Sequence, residues 1–183
     1  MDVFTLFDQN FLLWIQSLRQ DWMTPFWKAV TFLGNAGWFW ILLALLLLFW
    51  KQTRKTGMAA LLALMVGALI TNVWIKPAVA RPRPYDVVEG LVALLGPQMD
   101  YSFPSGHSCA AFAAAMVCWR MLPHKYGLPL LVLAGLLAFS RLYLGVHYPS
   151  DVAGGILIGL ASGWVACRIM AFQKHQEKMA EKQ

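Results

Sequence analysis

Six ionisable residues stand at the breaks between apolar runs: Lys76 and Arg83, then His107, then Arg141 and His147, with Asp151 four residues beyond. The imidazoles of His107 and His147 are the side chains in this set that titrate near neutral pH, so they can serve as nucleophile, acid or base. Lys76, Arg83 and Arg141 are three cations at the mouth of an apolar bundle, and such charges need anionic partners. Asp151 can satisfy one or two of them. A phosphate group is a natural further counter-ion, because planar guanidinium groups grip its oxygens in pairs. Pro104-Ser105-Gly106-His107 places a flexible glycine where a helix starts. Free backbone N–H groups and the Ser105 hydroxyl make an anion seat there. Asp151 can reach back one turn to the His147 ring, and Pro149 and Ser150 supply that helix with its start signal. The set points to phosphoryl transfer without a metal or cofactor. One imidazole attacks phosphorus, the other protonates the departing oxygen, and the cations hold the equatorial oxygens.

These residues spread over 76 positions, so the elements that carry them must bring them together. Of 183 residues, 59% are hydrophobic and 13% charged, with a mean hydropathy of +0.55. A soluble domain carries about 25% charged residues. Half that charge cannot cover a water-facing surface, which identifies an all-α integral membrane protein. The net charge of +6 comes from scattered Lys and Arg with no basic stripe, which argues against nucleic acid. Cys109, Cys118 and Cys167 lie inside apolar runs without metal-ligand spacing and read as small buried hydrophobes.

Charges bound five apolar runs: Ala29–Trp50, Thr56–Ile75, Tyr101–Trp119, Tyr126–Ser140 and Val152–Cys167. A spanning helix needs about 20 residues. The last two runs are short unless Arg141 and Asp151 lie at membrane depth, a costly and usually functional placement. About five spans are expected, near 33–51, 57–76, 104–121, 128–146 and 151–171. Residues 1–21 read instead as an amphipathic interfacial helix, with Phe4, Phe7, Phe11, Trp14, Ile15 and Leu18 at helical spacing and Asp8 among the polar positions between them. Met1-Asp2 lacks the basic start of a signal peptide. Trp22, Trp27, Trp38 and Trp40 suggest an aromatic belt. The whole of 1–183 is expected to be one domain, with the bundle over 33–171 and a charged tail over 172–183.

Span parity gathers Lys76, Ser105, Gly106, His107, Arg141, His147 and Asp151 at one face. The opposite side carries nine basic residues against two acidic; the motif side carries six against seven. The positive-inside rule makes the first side and the C-terminus cytoplasmic, so the motif face looks outward from the plasma (inner) membrane.

Lys76-(six residues)-Arg83-Pro84, Pro104-Ser105-Gly106-His107 and Ser140-Arg141-(five)-His147-(three)-Asp151 resemble the three signature motifs of the type 2 phosphatidic acid phosphatase superfamily, complete and in order. The resemblance implies a membrane phosphatase acting on a lipid phosphate or diphosphate. It implies His147 as the nucleophile that forms a phosphohistidine, Asp151 as the group that orients it, and His107 as the general acid and then base. Lys76, Arg83, Ser105, Gly106 and Arg141 are implied to bind the phosphoryl group. Arg81, in a second Arg-Pro pair, is expected at the rim against a second phosphate. Larger members have six spans, the first replaced here by the N-terminal helix.

Taken singly, each residue has a plainer explanation: an Arg at a membrane edge snorkels, a His caps a helix. Three spacings converging on one face outweigh those readings. Gly155, Gly159 and Gly163 suit close helix packing. The expected substrate is undecaprenyl diphosphate, with phosphatidylglycerol phosphate, phosphatidic acid and lipid A phosphate as alternatives. A lipid phosphotransferase and a non-catalytic lipid-phosphate binder are the rival functions.

Overall fold

In hydrocarbon a backbone must satisfy its own hydrogen bonds, so long charge-free runs fold as helices. The computed structural model describes the backbone of residues 3–180 and the side chains of residues 5–173. Expectations resting on Met1, Asp2, the Phe4 side chain or the charged side chains beyond Gln173 lie outside the described residues. Within them the chain forms nine α-helices and no strand: α1 Val3–Ser17, α2 Thr24–Phe32, α3 Trp38–Leu48, α4 Arg54–Ala68, α5 Lys76–Val79, α6 Pro84–Val87, α7 Gly106–Met121, α8 His124–Tyr143 and α9 Pro149–Ala180.

Three helical stretches are long and apolar enough to cross a bilayer: Arg54–Val87, His124–Tyr143 and Pro149–Gln173. α2 and α3 make a fourth only as a pair bent by 42°. The structure thus carries three to four candidate spans rather than five. A charge-free run proves a poor measure of helix length. Ala29–Trp50 is broken at Gly34–Gly37, where Ala36 and Gly37 take left-handed backbone (φ 50° and 69°). Tyr101–Trp119 spends its first five residues approaching its helix. That leaves α3 with 11 residues and α7 with 16, about 16 and 24 Å at 1.5 Å per residue, short of the ~30 Å hydrocarbon core.

α7 is the hub. It packs most extensively against α9 and α8, then α4, and Ala111, Ala113, Ala114 and Ala115 on it are buried. Its contact with α9 is a backbone approach: a Cβ on Gly155, Gly159 or Gly163 would sit 2.4, 2.5 or 2.7 Å from the carbonyl oxygens of Ser105, Cys109 and Ala113. The three cysteines are buried thiols.

α1 forms where expected but faces differently. Leu6, Phe7, Trp14 and Leu18 are exposed, whereas Asp8 (2% exposed), Leu12 and Ile15 are buried against α8 and α9. The position expected to face solvent turns inward because a guanidinium awaits it there. The aromatic belt is also only partial: Trp22 and Trp38 are exposed, but Trp27 and Trp40 belong to the core.

Candidate active site

Between α4 and α5 the chain winds as a π-helix over Leu69–Ile75. Wider turns of this kind recur at functional sites, and this one sets Thr71 and Asn72 on the wall of a cavity of about 290 Å³. Lys76 follows at the start of α5, Arg83 sits at the extended residue before α6, and Gly106 and His107 open α7. Arg141 ends α8, and His147 lies in the five-residue link to α9. All six line this cavity. Three buried cations (Lys76 6%, Arg83 4% and Arg141 1% exposed) surround it, an arrangement that favours an anion strongly.

His147 is held from two sides. Its Nδ1 lies 3.4 Å from Asp151 Oδ2, and its Nε2 lies 3.0 Å from Arg83 Nη1. Arg83 Nη1 also donates to Val146 O at 2.7 Å. Burial, aided by the charges of Arg83 and Arg141, holds the imidazole well below its ordinary value of 6.5 despite the pull of Asp151. The ring is therefore neutral at pH 7, with a lone pair available as a nucleophile requires. His107 Nε2 lies 3.0 Å from Asn35 Oδ1, which fixes the second ring on the opposite wall. Arg141 Nη1 donates to Thr31 Oγ1 at 2.5 Å. Its buried Nε has no hydrogen-bond partner among the described residues.

Three of the nine predicted residues do not line the cavity. Ser105 is fully buried; its hydroxyl oxygen accepts from Ser108 N and caps α7. Asp151 stands behind His147, accepting from Arg81 Nη1 (2.7 Å), Tyr148 N (2.9 Å) and Ser102 Oγ. Arg81 is not placed as a free rim cation: it donates to Asp8, Ser150 and Asp151. Sequence reasoning did not single out Asp100, Asn72, Asn35, Thr31 or Ser102. Asn72 was visible as a polar residue within an apolar span, one helical turn before Lys76. Asp100 pairs with both Lys76 and Arg83. Burial would raise its carboxyl, but those two cations outweigh it and hold the group below the usual carboxylate range.

The model of the PAP2 superfamily matches residues 56–175 of the chain. An undecaprenyl-diphosphatase of Sulfolobus acidocaldarius is 32% identical over 139 residues, 75% of this chain and 66% of that protein. The chain spans 60–66% of the length of the first curated relatives it matches. Among solved structures, Aquifex aeolicus LpxE superposes with a TM-score of 0.78 at 28% identity, covering 88% of this chain and 95% of that one. A transmembrane PAP2-type phosphatidylglycerolphosphate phosphatase from Bacillus subtilis gives 0.77 at 26% identity, covering 92% and 87%.

Proposed function

The chain belongs to the PAP2 superfamily, and from that premise we propose that it is a metal-independent membrane lipid phosphatase working through a phosphohistidine. One observation carries the reading: His107, His147, Lys76, Arg83 and Arg141, from separate segments, line one cavity. Plain binding of a lipid phosphate needs the cations but neither imidazole, which disfavours a non-catalytic binder.

In this reading Lys76, Arg83, Arg141 and the Gly106 N–H hold the phosphoryl oxygens. Ser105 contributes by capping the helix that presents Gly106 and His107. His147 Nε2 forms a bond to phosphorus as the bond from phosphorus to the leaving lipid oxygen breaks, and His107, protonated as its imidazolium beside the bound phosphoryl anion, delivers that proton to the departing oxygen. His107 then takes a proton from water, whose oxygen attacks phosphorus; the P–N bond breaks and inorganic phosphate leaves. The charge spread over the equatorial oxygens in both steps is what the cations stabilise. A lipid or sugar hydroxyl replacing water would make the protein a phosphotransferase.

We favour a polyprenyl diphosphate such as undecaprenyl diphosphate. The support comes from a second, wider cavity of about 650 Å³ that shares His107 and Arg141 with the first and adds Lys28 and Asn35. The leaving group departs on the His107 side, and a cation there suits a leaving group that is itself a phosphate. The loop charges support a position for both cavities on the outer face of the plasma membrane. The test is a panel of lipid diphosphates and monophosphates offered to the purified protein in EDTA, with kcat/KM compared. Polyprenyl diphosphate should lead. A faster phosphatidylglycerol phosphate, phosphatidic acid or lipid A phosphate would reassign the substrate, and no phosphate release from any of them would refute the enzyme.

A further inference from the structure

Arg81 and Asp8 take no part in the steps above, yet Asp8 is buried and Arg81 half-buried beside them. Asp8 comes from α1 and is 2% exposed; the Arg81 side chain is 23% exposed. Arg81 spreads its guanidinium across three partners. Nη1 donates to Asp151 Oδ1 and to Ser150 Oγ, both at 2.7 Å, and Nη2 donates to Asp8 Oδ2 at 2.7 Å. The Tyr148 ring lies beneath, 3.8 Å from Arg81 Cζ. Asp8 completes the circuit, accepting from Ser150 N at 3.0 Å and from Ser150 Oγ. Arg81 also fixes Asp151 through its own backbone, since its carbonyl accepts from Ser102 N at 2.9 Å and Ser102 Oγ donates to Asp151 Oδ2.

Each oxygen of Asp151 therefore has a set task. Oδ1 takes Arg81, while Oδ2 takes Ser102, Tyr148 N and, at 3.4 Å, His147 Nδ1. The longest of these contacts is the one to the nucleophile, so small rotations of the carboxylate decide whether it tightens. A planar fork held between two carboxylates resists such rotation; a lone carboxylate at a helix start does not.

We propose that Arg81 and Asp8 form a positioning unit that holds Asp151, and through it the His147 ring, in line for attack, so that α1 is part of the catalytic apparatus. The inference rests on the phosphatase reading and adds residues that touch no substrate. It also explains why a guanidinium five residues after Lys76 and two before Arg83 is absent from the cavity wall: it is engaged by Asp8, Ser150 and Asp151 instead.

The test measures kcat and KM for a lipid monophosphate and a lipid diphosphate in wild type, Arg81→Ala, Arg81→Lys and Asp8→Asn, each as the full chain in detergent, together with inhibition by inorganic phosphate. A positioning unit predicts a fall in kcat of roughly 10- to 100-fold for Arg81→Ala, the scale for losing a group that orients a reacting side chain. KM and the phosphate inhibition constant should stay within about 2-fold of wild type on both substrates. Arg81→Lys should recover little, because one ammonium cannot span three partners, whereas added guanidinium ion should partly restore Arg81→Ala. Asp8→Asn, which keeps the shape and removes the charge, should lower kcat in the same direction without changing KM. If Arg81→Ala does not yield folded protein, Asp8→Asn and Arg81→Lys decide the matter. Unchanged kcat in folded variants would overturn the inference, as would a rise in KM confined to the diphosphate, the signature of a substrate contact. An inactive wild type would instead strike the phosphatase reading itself.

Discussion

The contact between α7 and α9 sets the spacing of the two histidines, because α7 carries His107 and α9 follows directly on His147. Glycine at 155, 159 and 163 permits that contact, and an added methyl at each would meet a backbone carbonyl at 2.4, 2.5 and 2.7 Å. Ordinary contact begins at 3.4 Å, so alanine would force the helices apart by roughly 1.0, 0.9 and 0.7 Å if nothing else yields. Overpacking of this kind costs about 1–3 kcal/mol, or roughly 2–4 °C in thermal midpoint for each kcal/mol at this chain length. Displacing a catalytic group by about 1 Å costs up to ~100-fold in rate. The three variants should lose similar stability but unequal activity. Gly155→Ala lies against Ser105 and should lose the most kcat; Gly163→Ala, two turns deeper, should lose the least. Gly135→Ala on α8 meets nothing within 4 Å and serves as the control, neutral or slightly stabilising. Thermal midpoints in detergent and kcat on a short-chain lipid phosphate measure both quantities. Equal activity loss across the three, or none, would refute the claim that this seam spaces the site.

His107→Ala should slow cleavage most for substrates with poor leaving groups, seen as a steeper dependence of rate on leaving-group pKa; equal slowing across a series would argue against its acid role. Lys28→Met should cut kcat/KM for a lipid diphosphate about 5- to 10-fold, the scale of one exposed charge-assisted contact, and leave a monophosphate within about 2-fold. Asp100 presents a carboxylate to Lys76 and Arg83 and so competes with phosphate for both. Asp100→Asn should lower the inhibition constant of inorganic phosphate by about 3- to 10-fold, and because those cations keep the native carboxyl charged, the difference should persist throughout the neutral range.

Much of the cavity wall is legible in the sequence. Lys76, Gly106, His107, Arg141 and His147 stand at spacings that helix parity brings to one face, and Arg83 lies in the loop that joins them there. Apart from the reach of Asp151 to His147, the partners of those residues were not legible, and the reason is physical. Asp8, Asp100 and Asp151 are equivalent as residue types, and only the packing of α1, of the 77–103 loop and of α9 decides which guanidinium or ammonium each one meets. Arg81 shows the consequence: two residues from Arg83, it has the same chemistry but points below the cavity. The count of five spans is not confirmed, for a related reason. Charge marks where a chain may leave the membrane, whereas helix ends at Gly37 and Gly106 are set by backbone turns inside charge-free runs. The π-turn over Leu69–Ile75 leaves no periodicity signal, since one widened turn alters the facing of a few residues only.

In the proposed reaction His147 becomes covalently phosphorylated while the cations of the cavity hold the phosphoryl group. Rapid quenching of the protein during turnover of a lipid labelled in its terminal phosphate, followed by peptide mapping, tests it directly. An acid-labile, alkali-stable label is expected on the peptide containing His147, absent in His147→Ala and more abundant in His107→Ala when the leaving group is good. Label on another residue, or phosphate release persisting in His147→Ala, would contradict it.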